Sequence, residues 1–110
     1  MKEEQANYET YFNESGNEYH YKLSLFSDFT FKQKIFYKFS DLFLCDFFRI
    51  GTWKKGNLDN EIELNIVKQI QNSKSDEGID STGKIFICKL LQHGIMAPNE
   101  DGTLQILNMM

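Results

Sequence analysis

Apolar and polar residues alternate along most of this chain. In an extended backbone Tyr19, Tyr21, Leu23 and Leu25 leave one face, while Glu18, His20, Lys22 and Ser24 leave the other. The same beat returns at Phe29, Phe31, Ile35, Tyr37 and Phe39, with Lys32, Lys34 and Lys38 between them. It appears a third time at Ile62, Leu64 and Ile66, interleaved with Glu61, Glu63 and Asn65. A period of two marks a half-buried β-strand, whose successive side chains point to opposite faces of a sheet. Turn-forming residues punctuate these runs at 13–17, 27–28, 40–41, 55–57, 93–94 and 99–102. The pattern predicts strands over residues 8–12, 18–26, 29–39, 42–54, 61–70, 84–91 and 103–107, with a polar loop over 71–83.

Two stretches also carry a helical rhythm. Ile35, Phe36, Phe39, Leu42, Phe43, Phe47 and Ile50 fall near one helical stripe, but Tyr37, Leu44 and Phe48 land off it. Asn60 followed by Glu63 resembles a helix N-terminal capping pair, with Ile62, Ile66, Val67 and Ile70 behind it, and Leu64 spoils that stripe. The β-branched and aromatic content of both stretches favours strand.

About seven short strands joined by turns predict an all-β fold, an antiparallel meander closed into a small barrel or folded as a sandwich. An open sheet with one aromatic face would leave unpaired edges and a sticky surface, so closure is physically favoured. Residues 8–110 read as a single β-barrel domain, and the polar, acidic residues 1–7 as a flexible N-terminal tail. The expected core holds Tyr19, Tyr21, Leu23, Leu25, Phe29, Phe31, Ile62, Leu64 and Ile66.

Of the sixteen aromatic residues, fifteen lie between Tyr8 and Trp53. That is more ring surface than a small core needs, and it points to a binding role. The net charge of −4 and the single arginine, Arg49, argue against nucleic acid and against an anionic membrane surface, which select basic partners. The apolar-rich run at 42–50 is too short to span a bilayer and is broken by Asp46 and Arg49. No charged start followed by an apolar segment opens the chain, so a cytoplasmic protein is expected, with Cys45 and Cys88 as buried free thiols.

The stretch Asp28-Phe29-Thr30-Phe31, then Arg49-Ile50-Gly51-Thr52-Trp53-Lys54, then Glu61-Ile62-Glu63-Leu64 resembles the strand rhythm of lipocalin-like (calycin-like) small β-barrel proteins over roughly residues 19–66. In those proteins the Trp of a Gly-x-Trp motif, here Gly51-x-Trp53, plugs one barrel end. The resemblance implies a barrel architecture and the capacity to carry a small apolar ligand.

Candidate ligand-binding residues are Tyr19, Tyr21, Arg49 and Trp53. The tyrosines offer an apolar body with a polar tip. Arg49 lies on the same strand face as Trp53, where it can meet a ligand carboxylate or stack over the indole; otherwise an exposed or salt-bridged arginine is expected. Trp53 serves equally as a core ring with its N–H satisfied. Cys45, Cys88, His20 and His93 supply four soft ligands, but without the closely spaced pairs of a structural zinc site. No serine-nucleophile elbow is present, and Asn57, Asp59 and Glu61 lack the glycine and late glutamate of a calcium loop. Lys32, Lys34 and Lys38 form a basic stripe, of the kind that tracks single strands on an OB-type barrel or simply solvates a strand face.

The expected function is therefore a non-catalytic β-barrel binding module, with no metal or cofactor, acting as a protein-interaction subunit. The alternatives are a lipocalin-like carrier of a small apolar ligand and an OB-type single-stranded nucleic-acid binder or partner subunit.

Overall fold

The computed structural model describes residues 4–40, 43–71, 81–98 and 104–109. Its elements are β1 (Glu4–Glu14), β2 (Asn17–Phe26), β3 (Thr30–Phe39), β4 (Phe43–Lys55), β5 (Glu61–Gln71), β6 (Ile85–Leu91), β7 (Gly94–Pro98) and β8 (Leu104–Met109). Every strand pairs antiparallel with its sequence neighbour, and β8 returns to β1, so the eight strands form one closed barrel. The all-β meander read from the alternation is the observed architecture, and both stretches with a helical rhythm are strands. The expected turn at Asp41, the middle of the loop at 72–80 and the turn at 99–102 lie outside the described residues.

The count of seven strands missed β7. Its residues Gly94-Ile95-Met96-Ala97-Pro98 begin and end with strand-breaking types, yet Ile95 and Ala97 alternate into the core. The Gln92-His93 connection turns the chain back, pairing Leu91 with Gly94. Strand β1 begins at Glu4, ahead of the first visible alternation, because Ala6 pairs with Leu25 after a bulge.

The β1–β2 hairpin has the tightest of the expected turns. Ser15 and Gly16 both take positive φ, 53° and 81°, as a two-residue turn with both central residues left-handed requires. Phe29 was expected in the core and is not there. It sits in the β2–β3 turn at φ 64°, donates its backbone N–H to Phe26 O, and is 59% exposed. Asp28 accepts from Thr30 N at 3.1 Å, which extends the turn to three residues and drops Phe29 out of the strand's alternation.

Register places the inward residues of β2–β5 in rows. From one end to the other these are Leu25–Phe31–Gly51–Ile66, then Leu23–Gln33–Arg49–Gln69, then Tyr21–Ile35–Phe47–Gln71, and then Tyr19–Tyr37–Cys45. The register shift opposite Ile50 and Gly51 leaves Val67 as the extra residue of β5, so β5 turns Ile62, Leu64 and Ile66 inward before it and Gln69 and Gln71 after it. Leu23, Leu25, Phe31, Ile62, Leu64, Ile66, Cys88, Ile95, Ala97 and Leu107 form the main core cluster around Tyr8. A smaller cluster of Ile35, Cys45 and Phe47 sits nearer the other end, and Tyr21 touches both. Cys45 and Cys88 are not in a disulfide and belong to different clusters.

Candidate functional site

The barrel is closed along only part of its length. β6 pairs with β5 from Glu61 to Asn65, and β8 pairs with β1 only at Tyr8 and Glu9. The rows beyond Arg49 are therefore carried by β1–β5 alone among the described residues. There the sheet is an open trough, and at its end Ser40 N donates to Gly16 O at 3.1 Å, continuing the β2–β3 ladder into the two neighbouring turns.

Aromatic rings line the inner face of this mouth. Phe12 stacks on Tyr19 with centroids 5.1 Å apart, Tyr19 meets Tyr21 at 5.3 Å, and Tyr37 stacks on Phe39 at 6.4 Å. Tyr19, Tyr21 and Tyr37 are half-buried, and Phe12 and Phe39 are exposed at the rim. The alternation that puts apolar side chains into the closed part puts these rings on the same face, where fewer strands remain to cover them.

Arg49 is the floor beneath the mouth. It is 1% exposed, against the surface position ordinary for arginine. Its Nε donates to Gln69 Oε1 at 2.9 Å, and its guanidinium lies over the rings of Phe47 and Phe86 at 5.0 and 5.4 Å. Gln33 Oε1 stands 3.5 Å from Nη1, and Gln69 Oε1 also accepts from Ser81 N at 3.1 Å. Aromatic faces and amide oxygens thus replace water around a delocalised cation. Arg49 does share a face with Trp53, but it stacks on phenylalanines rather than on the indole.

Trp53 occupies the opposite end. It is half-buried, donates Nε1–H to Phe26 O at 3.0 Å and packs on Phe29 at 5.0 Å. The ring therefore closes the end formed by the β2–β3 and β4–β5 turns. A groove of about 230 Å³ beside it is lined by Thr52, Lys54, Glu63, Asn65 and Ile85, all of which point outward. Tyr19, Tyr21 and Arg49 belong to the mouth and its floor; Trp53 does not join them.

The seam between β1 and β8 is a feature the alternation did not flag. Tyr11 is 57%, Phe12 38%, Ile106 55% and Met109 52% exposed, on the two strands that part beyond Glu9 and Asn108. The one signal in the sequence was the adjacent pair Tyr11-Phe12, which puts a ring on each face of β1.

On the outer face, His20 Nε2 lies 2.6 Å from Glu9 Oε1, with Tyr11 edge-on to the imidazole at 5.7 Å. Lys32, Lys34 and Lys38 also point outward, away from the aromatic mouth. Lys34 stands directly across the ladder from Lys22, and Lys32 covers the ring of Phe48 at 4.8 Å. Among the described residues no three His, Cys, Asp or Glu side chains gather as a metal site. Glu61 instead caps its own turn, accepting from Leu58 N at 3.2 Å. The chain matches no protein-family model, no curated protein and no solved structure.

Proposed function

We propose that this chain is a non-catalytic β-barrel binding module, a subunit that engages another protein along its β1–β8 seam and open mouth. One observation carries the reading: Tyr11 and Ile106 are both exposed on the outer face of two neighbouring strands. Exposed apolar residues gathered in one patch, rather than scattered, mark interaction surfaces. The closed part supports it as well, since side chains from every strand of the main core cluster occupy that interior.

The test uses tagged wild-type protein and a Tyr11→Asp/Ile106→Asp variant, each assayed for retained partners and for mass in solution by light scattering. A partner held by wild type and lost from a variant with an unchanged thermal melt supports the reading. A monomer with no partner, or one retained equally by the variant, counts against it.

The half-buried Tyr19, Tyr21 and Tyr37 favour a second reading, a lipocalin-like carrier that takes a small apolar ligand at the mouth. Native mass spectrometry with fatty acids distinguishes it. Trp53 is a poor reporter for this purpose, because it lies at the far end of the barrel.

A further inference from the structure

We propose that the outer face of β2–β5 is a second binding surface, a platform for single-stranded nucleic acid, on which lysines hold phosphates and Phe36 and Phe48 stack bases. It lies apart from the β1–β8 seam and goes beyond the protein-binding reading.

The register that turns Tyr21, Ile35 and Phe47 inward turns their chain neighbours out. On β3 this exposes Lys32, Lys34 and Lys38 in one line, with Phe36 between the last two. Lys22 stands opposite Lys34 on one side and Phe48 opposite it on the other. Lys32 faces Ile50, and Ile50 faces Lys68. Five of the chain's twelve basic residues therefore share one patch of a protein whose net charge is −4. Among the described residues the carboxylates of that patch are Glu18 and Asp46, two of the chain's sixteen. Charge is segregated, so the net value that argues against nucleic acid for the whole chain does not describe this face.

Like charges directly across a ladder cost stability. Lys22 and Lys34 are such a pair. Among the described residues no carboxylate comes within ion-pair distance of the five lysines, whereas Lys54 and Lys55 are each paired, at 3.4 and 3.7 Å. A polyanion laid along β3 relieves this repulsion. The rings choose among polyanions. Outward side chains of one strand recur about every 7 Å, so Lys34, Phe36 and Lys38 alternate charge, ring and charge. Phe48 is half-buried, and Lys32 Nζ reaches to 4.8 Å from its centroid. Lys32 is exposed and flexible, so it can move to a phosphate and leave the ring to a base. An acidic peptide needs only the charges, and half-buried rings do not reach into a bilayer. Bases carry the flat π-faces that stack on such rings.

The experiment follows fluorescence anisotropy of a labelled oligothymidylate of about 15 nucleotides, near the site size of one small barrel. Five phosphate contacts predict a log–log salt slope of about −3.5, a loss of about a hundredfold from 50 to 200 mM salt. Lys34→Glu removes the repulsion from Lys22, so the fold is kept, yet binding at 50 mM salt should weaken at least about eightfold, the counterion release of one contact. Lys89→Glu makes the same charge change on β6, outside the face, and should weaken binding far less. Phe36→Leu and Phe48→Leu should each weaken it at least about fivefold, the value of one stacked base, and either variant suffices if its thermal melt shows it folded. No binding at 50 mM salt, equal losses from Lys34→Glu and Lys89→Glu, or wild-type binding by a folded ring variant overturns the inference. So does polyglutamate or a phosphatidylserine vesicle that binds as tightly as the oligonucleotide, which would assign the face to an acidic protein or to a membrane.

Discussion

Replacing Gly51 by alanine tests whether β4 needs a bare backbone where it crosses the barrel. A Cβ built on Gly51 lies 2.9 Å from Phe31 Cε1 and 3.0 Å from the Asn65 carbonyl carbon, and closer still to the Asn65 oxygen. Neither neighbour can retreat cheaply. Phe31 is fully buried across the ladder, and the Asn65 carbonyl belongs to a strand paired on both sides, with Thr52 and Ile85. Overpacking a filled core costs about 1–3 kcal/mol, and a clash with backbone belongs at the upper end. Alanine returns up to about 1 kcal/mol through the lower entropy of the unfolded chain. The net expectation is a loss of about 2–3 kcal/mol, a large part of the 5–15 kcal/mol or so that holds a domain together. Urea unfolding followed by circular dichroism measures it, and the thermal midpoint should fall by about 10–20 °C. Gly16→Ala is the control: its φ of 81° carries strain, but nothing lies within 4 Å, so it should cost only about 1 kcal/mol. A Gly51→Ala loss below about 0.5 kcal/mol, the range of ordinary surface changes, would refute the reasoning.

Trp53→Ala should cost about 2 kcal/mol, less than a fully buried ring, because the indole is half-buried; Trp53→Phe, which keeps part of the ring packing and loses the bond to Phe26 O, should cost about 1 kcal/mol in the same unfolding assay. Arg49→Ala should cost about 2–4 kcal/mol, from the cavity it leaves and the Gln69 and Gln33 acceptors it strands, and near-wild-type stability would show that the guanidinium is dispensable. Burial pushes the Cys88 thiol up from 9.0 to about 12. The folded protein then keeps a proton that the unfolded chain releases, so stability is full below pH 9 and falls between pH 9 and about 12. The slope is about 1.4 kcal/mol per pH unit; burial raises the Tyr8 phenol in the same direction, so the Cys88 share is the slope that Cys88→Ala removes. Lys34→Glu replaces a like-charged cross-strand pair with an attractive one opposite Lys22 and should stabilise by about 0.5 kcal/mol at low salt, fading as salt rises.

What the sequence determined by itself was whatever depends on neighbours two positions apart. Period-two alternation at residues 18–26, 29–39 and 61–66 set strand identity, and with it the burial of Leu23, Leu25, Phe31, Ile62, Leu64 and Ile66. The helical stripes at 35–50 and 60–70 lost to the β-branched and aromatic content of those stretches, which suits a strand. Gly51, a glycine inside a strand, already signalled close approach of another backbone. The tertiary structure decided everything that depends on where each strand stops. Tyr19 and Leu23 belong to one alternating set, but Leu23 packs in the cluster that Cys88, Ile95 and Leu107 of β6, β7 and β8 help to fill, whereas the row of Tyr19 is carried by β1–β4 among the described residues, so one is core and the other lines a mouth. Phe29 left the set because a three-residue turn, held by Asp28, absorbed it. Arg49 is buried because its row falls where Gln33, Gln69, Phe47 and Phe86 converge from four strands, a coincidence of register that no local pattern encodes. The parting of β1 and β8 has the same origin: the two strands pair at Tyr8 and Glu9 alone among the described residues, and only closure of the barrel reveals how far the last strand reaches along the first.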